Sequence, residues 1–149
     1  MMKRDDFLKT LAKHRKHEVV VAVYSAAQEF IQIAPHPLNY TFTGAMGQGS
    51  SHALGIALGR PDKRVIVLDG DGSLLMNLGS LVTIAHAAPG NLLHCLCRNG
   101  SYETNGAVPI PNREKLSFTG LAAAAGYRRV VSITTLDEWD RQLPGLLDE

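Results

Sequence analysis

Two short apolar runs near the middle of the chain limit its possible folds more than any other feature. The first, Val65-Ile66-Val67-Leu68, ends in Asp69-Gly70-Asp71-Gly72-Ser73. The second, residues 92–97, ends in Arg98-Asn99-Gly100-Ser101. Each is apolar almost throughout and bounded by turn residues, the pattern of a strand buried on both faces. Between them, residues 74–87 carry Leu74, Leu75, Leu78, Leu81, Val82 and Ile84 and read as one helix. A strand–helix–strand unit makes the two strands parallel. Asp71 and Asn99 lie 99 − 71 = 28 residues apart, one helix and one strand, which sets them at neighbouring strand ends. Open α/β sheets bind ligands at those carboxyl ends. A carboxylate, a carboxamide oxygen and a backbone carbonyl suit a hard cation, Mg²⁺ above all, held against a phosphate ester.

The rest of the chain fits around that unit. Residues 5–17 carry Phe7, Leu8 and Leu11 at helical spacing, a short amphipathic helix. Residues 18–24 form a β-branched strand, and Ser25 is placed to cap a helix over 26–33. Pro35 and Pro37 make a loop, and residues 40–43 a short strand. Gly44-Ala45-Met46-Gly47-Gln48-Gly49 leads into a small-residue helix over 53–58. Such glycines imply close backbone approach to a ligand or tight helix–sheet packing. Residues 100–115 form the longest stretch without structure, of a kind that is usually functional. Then follow a helix over 117–125 closed by Gly126, a last strand over 127–133, and a last helix over 136–147 with Pro144 as a point of breakage. The expected architecture is one α/β domain, 1–149, with a doubly wound, mainly parallel sheet and helices on both faces.

Composition excludes some classes of function. Fifteen basic and 14 acidic residues leave a net charge of +1, which favours neither nucleic acid nor an anionic membrane. No apolar stretch approaches the roughly 20 residues that cross a bilayer. The opening Met1-Met2-Lys3-Arg4-Asp5-Asp6 is not a signal-peptide core, so a cytoplasmic protein is expected. Cys95 and Cys97 are the only cysteines; at i and i+2 of a strand they read as reduced core residues. His14, His17, His86 and His94 show no ligand spacing. His52 reads as a packing or capping residue, and His36, between two prolines ahead of the glycine loop, as a candidate to reach the site.

Glycines 70 and 72 free the backbone, and Ser73 begins a helix. The amides of Gly72 and Ser73 then aim at an anion, helped by the helix dipole. A bare carboxylate beside a phosphate would repel it, so Asp71 fits only with a cation between them.

Gly70-Asp71-Gly72-Ser73, Asn99-Gly100-Ser101 and the upstream Gly44-Ala45-Met46-Gly47 together resemble the thiamine diphosphate enzymes, in their diphosphate-binding domain. The resemblance is nearest to the sulfopyruvate and phosphonopyruvate decarboxylases. It implies that Asp71 and Asn99 bind Mg²⁺ by side chain and Ser101 by its main-chain oxygen. Gly70 and Tyr102 would line the cofactor, with Gly72 and Ser73 holding the diphosphate. Gly44 would offer its carbonyl to the 4′-amino group of the aminopyrimidine. Met46 would wedge between the two rings and bring that group to the thiazolium C2, whose proton it removes. The cofactor then takes up electrons while a 2-oxo acid loses CO₂. In such enzymes a glutamate on a separate pyrimidine-binding domain activates the cofactor. The resemblance therefore implies a partner subunit supplying that glutamate, with two copies of each chain.

The chain also departs from the family pattern. Arg98 stands where the first of two asparagines is usual, and Val23-Tyr24 and Ala27-Gln28-Glu29 replace the usual early residues. Arg98 could read a carboxylate or point outward. Tyr102 and Glu103 could face substrate, and Arg113 and Lys115 could dock an anionic tail or form a solvated loop. Three other readings stay open: a non-catalytic cofactor-binding or regulatory subunit, an acetolactate synthase-like carboligase half, and an NAD-binding dehydrogenase fragment. For the last, Gly47-x-Gly49-x-x-His52 nearly fits a dinucleotide loop and Asp69 follows at 69 − 47 = 22 residues. Against it, His52 replaces the third glycine and Asn99 has no role.

Overall fold

The computed structural model describes residues 2–44 and 46–148, the Phe42 side chain excepted. Its centre is a parallel sheet of β1 (Val19–Val23), β2 (Asn39–Phe42), β3 (Val65–Gly70) and β4 (Leu92–Cys97), ordered β2-β1-β3-β4. Five helices, α1 (Arg4–His14), α2 (Tyr24–Ile33), α3 (Gly49–Gly59), α4 (Asp71–Met76) and α5 (Ser80–Ala87), come in the first two-thirds of the chain. A small antiparallel pair, β5 (Ser101–Tyr102) and β6 (Val108–Pro109), precedes α6 (Phe118–Ala125) and α7 (Leu136–Asp148).

Alternation along the strands sorts the core into two faces. Val20, Ala22, Ile66 and Leu68 point into a cluster with Phe7, Leu8 and Leu11 of α1, Phe30 of α2, and Trp139 and Leu143 of α7. Val19, Val21, Val65 and Val67 face Ala53 and Ala57 of α3. A smaller cluster joins Leu74, Leu81, Ile110 and Phe118. The sheet is covered on both sides, as its near-continuous apolar strands require. Trp139 fixes α7 to α1: its ring stacks on Phe7 at 4.7 Å and its Nε1–H donates to the Phe7 carbonyl at 3.1 Å.

Chain direction sets where a ligand can go. From β1 the chain winds outward to β2; from β3 it winds the other way to β4. The winding reverses between β1 and β3, so a crevice opens outside their carboxyl ends.

Several expectations need correction. The helix expected over 74–87 is two helices, parted at Asn77-Leu78-Gly79. Asn77 and Gly79 are weak helix formers, and the Asn77 Nδ2 donates to the Gly47 carbonyl at 3.1 Å. Residues 127–133 form no strand. Arg128, Arg129, Val131 and Ser132 are exposed there, and only Ile133 joins the first cluster. Ser25 does not cap α2, which begins at Tyr24 without a side-chain cap. Residues 100–115 are not structureless, since β5 and β6 lie within them. Helix α7 continues through Pro144. Among the described residues no helix is long and apolar enough to cross a membrane.

Gly49 settles one question left by the glycine loop. A Cβ there would stand 2.8 Å from Cγ1 of Val23, so this glycine serves close packing of α3 on β1. Gly49→Ala is expected to lower stability by about 1–3 kcal/mol, read as a fall in the urea midpoint with an unchanged slope.

Candidate active site

A cavity lies at the point where the winding reverses. Tyr24 and Ser25 line it from the end of β1, and Gly70, Asp71, Gly72 and Ser73 from the end of β3. Asn99, Ser101 and Tyr102 line it from the loop after β4, and Met46 from the glycine loop. Every cofactor or cation residue expected from sequence is therefore there except Gly44. That residue is exposed at φ +98°, and no atom lies within 4 Å of where its Cβ would be. Ala45 lies outside the described residues.

The loops after β3 and β4 are fastened to each other. Gly70 and Cys97 pair at the last rung of the ladder. Asp71, 1% exposed, accepts the Gly72 amide on Oδ1 at 3.0 Å and the Gly100 amide on Oδ2 at 2.7 Å. Asn99 Oδ1 accepts both the amide and the hydroxyl of Ser101, at 2.9 and 3.1 Å. The glycine loop is stitched on as well. The Gly47 amide donates to Ser73 Oγ at 3.0 Å, so the Ser73 side chain holds that loop while its amide lies in the first turn of α4. A Cβ on Gly72 would lie 2.7 Å from the Tyr102 ring and 3.1 Å from the Ser101 carbonyl oxygen. Only glycine lets the two loops approach this closely.

The strain is local too. Tyr24 sits at φ +50° directly after β1, a left-handed conformation that costs a non-glycine residue of order 1–3 kcal/mol and clusters at functional sites.

The charge around the cavity is mainly negative. Asp69, Asp71 and Glu103 line it, against one cation, Arg4. The Arg4 guanidinium holds the Glu103 carboxyl below its ordinary range. The two carboxylates of Glu29 and Glu103 push Arg4 further up in turn. Asp69, 1% exposed, accepts the Gly70 amide at 2.9 Å and faces His94 Nε2 at 3.4 Å. The other ring nitrogen of His94 meets the Tyr127 hydroxyl at 3.3 Å, and burial, then Asp69, pushes that phenol up to about 12.

Other expected residues take plainer places. His36 lies before β2, at the end of the sheet away from the cavity, where its Nδ1 accepts the Leu38 amide at 3.1 Å. It does not reach the site, because a parallel strand separates its two ends. His94 is a core residue, and His14 pairs at the surface with Asp140 at 2.7 Å. His52 bonds the Gln48 carbonyl and stacks near Tyr40. Arg98 donates to the Arg113 carbonyl at 2.6 Å and lies 6.0 Å over the Phe118 ring, strapping the 100–116 segment rather than facing the cavity. Arg113 pairs with Glu114, and Lys115 is exposed. Arg4 has no signal as a site residue in sequence, and Asp69 has one only in the dinucleotide reading. Arg4 reaches Glu103 across 99 residues, a separation no periodicity reveals.

The donor set fits a hard cation with a diphosphate. Asp71 is a buried carboxylate, and Asn99 and Ser101, which would add carboxamide and carbonyl oxygens, line the same cavity. Among the described residues no cluster of three or more His, Cys, Asp or Glu side chains forms a metal centre. The thiols are unsuited to the task. Burial raises both, Cys97 to about 12. At pH 8 a disulfide reagent is expected to label Cys95 and Cys97 slowly in the native chain and rapidly in denaturant, because the thiolate is the reactive form.

Comparison with known proteins bears on this site. The family model described as "Thiamine pyrophosphate enzyme, C-terminal TPP binding domain" matches residues 17–149. Phosphonopyruvate decarboxylase of Streptomyces hygroscopicus is 37% identical over 129 residues, 87% of this chain and 32% of that protein. Sulfopyruvate decarboxylase subunit beta of Methanocaldococcus jannaschii is 32% identical over 149 residues, 99% of this chain and 78% of that subunit. The chain thus spans about a third of the first relative and over three-quarters of the second. The structure of benzoylformate decarboxylase from Polynucleobacter necessarius superposes with a TM-score of 0.78 at 21% identity, over 99% of this chain and 31% of that one, which shows a shared fold.

Proposed function

Because the chain belongs to the thiamine pyrophosphate enzymes, through their C-terminal TPP-binding domain, we propose that it is the diphosphate- and Mg²⁺-binding part of a 2-oxo-acid decarboxylase. The observation that carries this reading is the buried Asp71 carboxylate at the reversal of the winding, tied at 2.7 Å to the amide beside Asn99. Asp71 and Asn99 hold Mg²⁺ by side chain and Ser101 by its carbonyl. The amides of Gly72 and Ser73 take the diphosphate, with Gly70 and Tyr102 lining it. Gly44 and Met46 face the aminopyrimidine. When bound, thiamine diphosphate supplies the electron sink that decarboxylation of a 2-oxo acid requires.

Both relatives are named for 2-oxo acids that carry a second anionic group, a sulfonate or a phosphonate. That class is the proposed substrate. The relative that matches this chain over most of its length is named a beta subunit, which supports a partner subunit. That partner supplies the pyrimidine-side glutamate, with two copies of each chain in the assembly. Release of CO₂ from sulfopyruvate and phosphonopyruvate tests the reading. The chain alone should give no turnover, and the chain with a pyrimidine-binding subunit should decarboxylate at least one of the two. Full turnover by the chain alone, or none from either acid with that subunit, overturns it.

A further inference from the structure

Arg4 is the cation on the cavity wall, yet it lies before the segment matched by the family model, which begins at residue 17. It is not on a loose end. Helix α1 is anchored by Phe7, Leu8 and Leu11, each under 9% exposed, and by the Trp139 bond to the Phe7 carbonyl. From that post the guanidinium grips two carboxylates. Nε and Nη2 donate to Glu29 at 3.0 and 2.5 Å; Nη1 and Nη2 donate to Glu103 at 2.6 and 3.1 Å. Both grips are the two-point fork that fixes geometry as well as charge.

Glu103 in turn meets Asn99. The Asn99 Nδ2 donates to Glu103 Oε2 at 3.4 Å, while its Oδ1 accepts from Ser101. A carboxylate only accepts, so it selects the nitrogen end of the carboxamide and turns the oxygen end away from itself. A carboxamide can bind a cation only through its oxygen.

We propose that Arg4 is a positioning residue: by clamping Glu103 it sets the orientation of the Asn99 carboxamide and holds the 99–103 loop ready for Mg²⁺. This rests on the reading of Asp71, Asn99 and Ser101 as cation ligands. Glu29 belongs to the same ion cluster but has no bond to Asn99, so it separates positioning from plain stability.

The test is a Mg²⁺ titration of the full chain at fixed thiamine diphosphate, followed by calorimetry, with the thermal midpoint of each cofactor-free variant measured beside it. Residues that orient metal ligands typically change metal affinity by roughly 10–100-fold. Arg4→Gln and Glu103→Ala should therefore raise the Mg²⁺ half-saturation by about tenfold or more. Arg4→Lys and Glu103→Gln should fall between those variants and the parent. Glu29→Gln should shift the midpoint alone. Should Arg4→Gln and Glu103→Gln fold and titrate like the parent, or should Glu29→Gln weaken Mg²⁺ as much as Arg4→Gln, the positioning role is wrong while the cofactor reading stands. No Mg²⁺-dependent binding by the parent chain overturns that reading first, and the inference with it.

Discussion

Asp71→Asn should raise the Mg²⁺ concentration needed for thiamine diphosphate binding by at least about 100-fold, since losing a ligand exceeds the usual cost of losing a ligand's neighbour. The cofactor-free chain should suffer as well. Both Asp71 oxygens accept backbone amides, from Gly72 and Gly100. In asparagine one of those acceptors becomes an NH₂ donor, so one of the two backbone donors loses its partner. A buried donor left unsatisfied costs about 1–3 kcal/mol. Chemical denaturation without cofactor and Mg²⁺ titration with it separate the two effects. If Asp71→Asn binds thiamine diphosphate with the parent's Mg²⁺ dependence, Asp71 is not a ligand.

Gly72→Ala should disturb the site by a different route. The new methyl would lie 2.7 Å from the Tyr102 ring and 3.1 Å from the Ser101 carbonyl oxygen. The ring must swing away and the carbonyl must shift. Overpacking of this kind costs about 1–3 kcal/mol, and the displaced atom is the proposed third cation ligand. Adding Tyr102→Ala removes the ring and should restore part of the stability, but not the carbonyl's position. The double variant is expected to be closer to the parent in urea midpoint than Gly72→Ala and still deficient in Mg²⁺-dependent binding. A single variant that binds as the parent does would show that the loops need not approach so closely.

The centre of the fold was legible because its signals are local. An apolar run such as Val65-Ile66-Val67-Leu68 followed by alternating glycine and aspartate states strand, turn and helix start within nine residues, and the spacing to Asn99 places the second loop. Elements decided by distant partners were not legible. Residues 127–133 have strand-like composition but find no neighbouring strand to pair with. The helical period over 74–87 continues through Asn77-Leu78-Gly79 although the helix does not, because Asn77 turns aside to hold Gly47. Arg4 stands just before the helix expected over 5–17, and only the docking of α1 beside α2 brings it to Glu29 and Glu103. Arg98 departs from the family pattern in sequence, yet its bond to the Arg113 carbonyl gives it structural work away from the cavity.

The most direct measurement is calorimetric titration of thiamine diphosphate into the purified chain, once with Mg²⁺ and once with a chelator. Saturable binding at one site per chain with Mg²⁺, lost in chelator, is the expected result. Equal binding in the two conditions would contradict the bridging cation, and no binding in either would contradict the cofactor site.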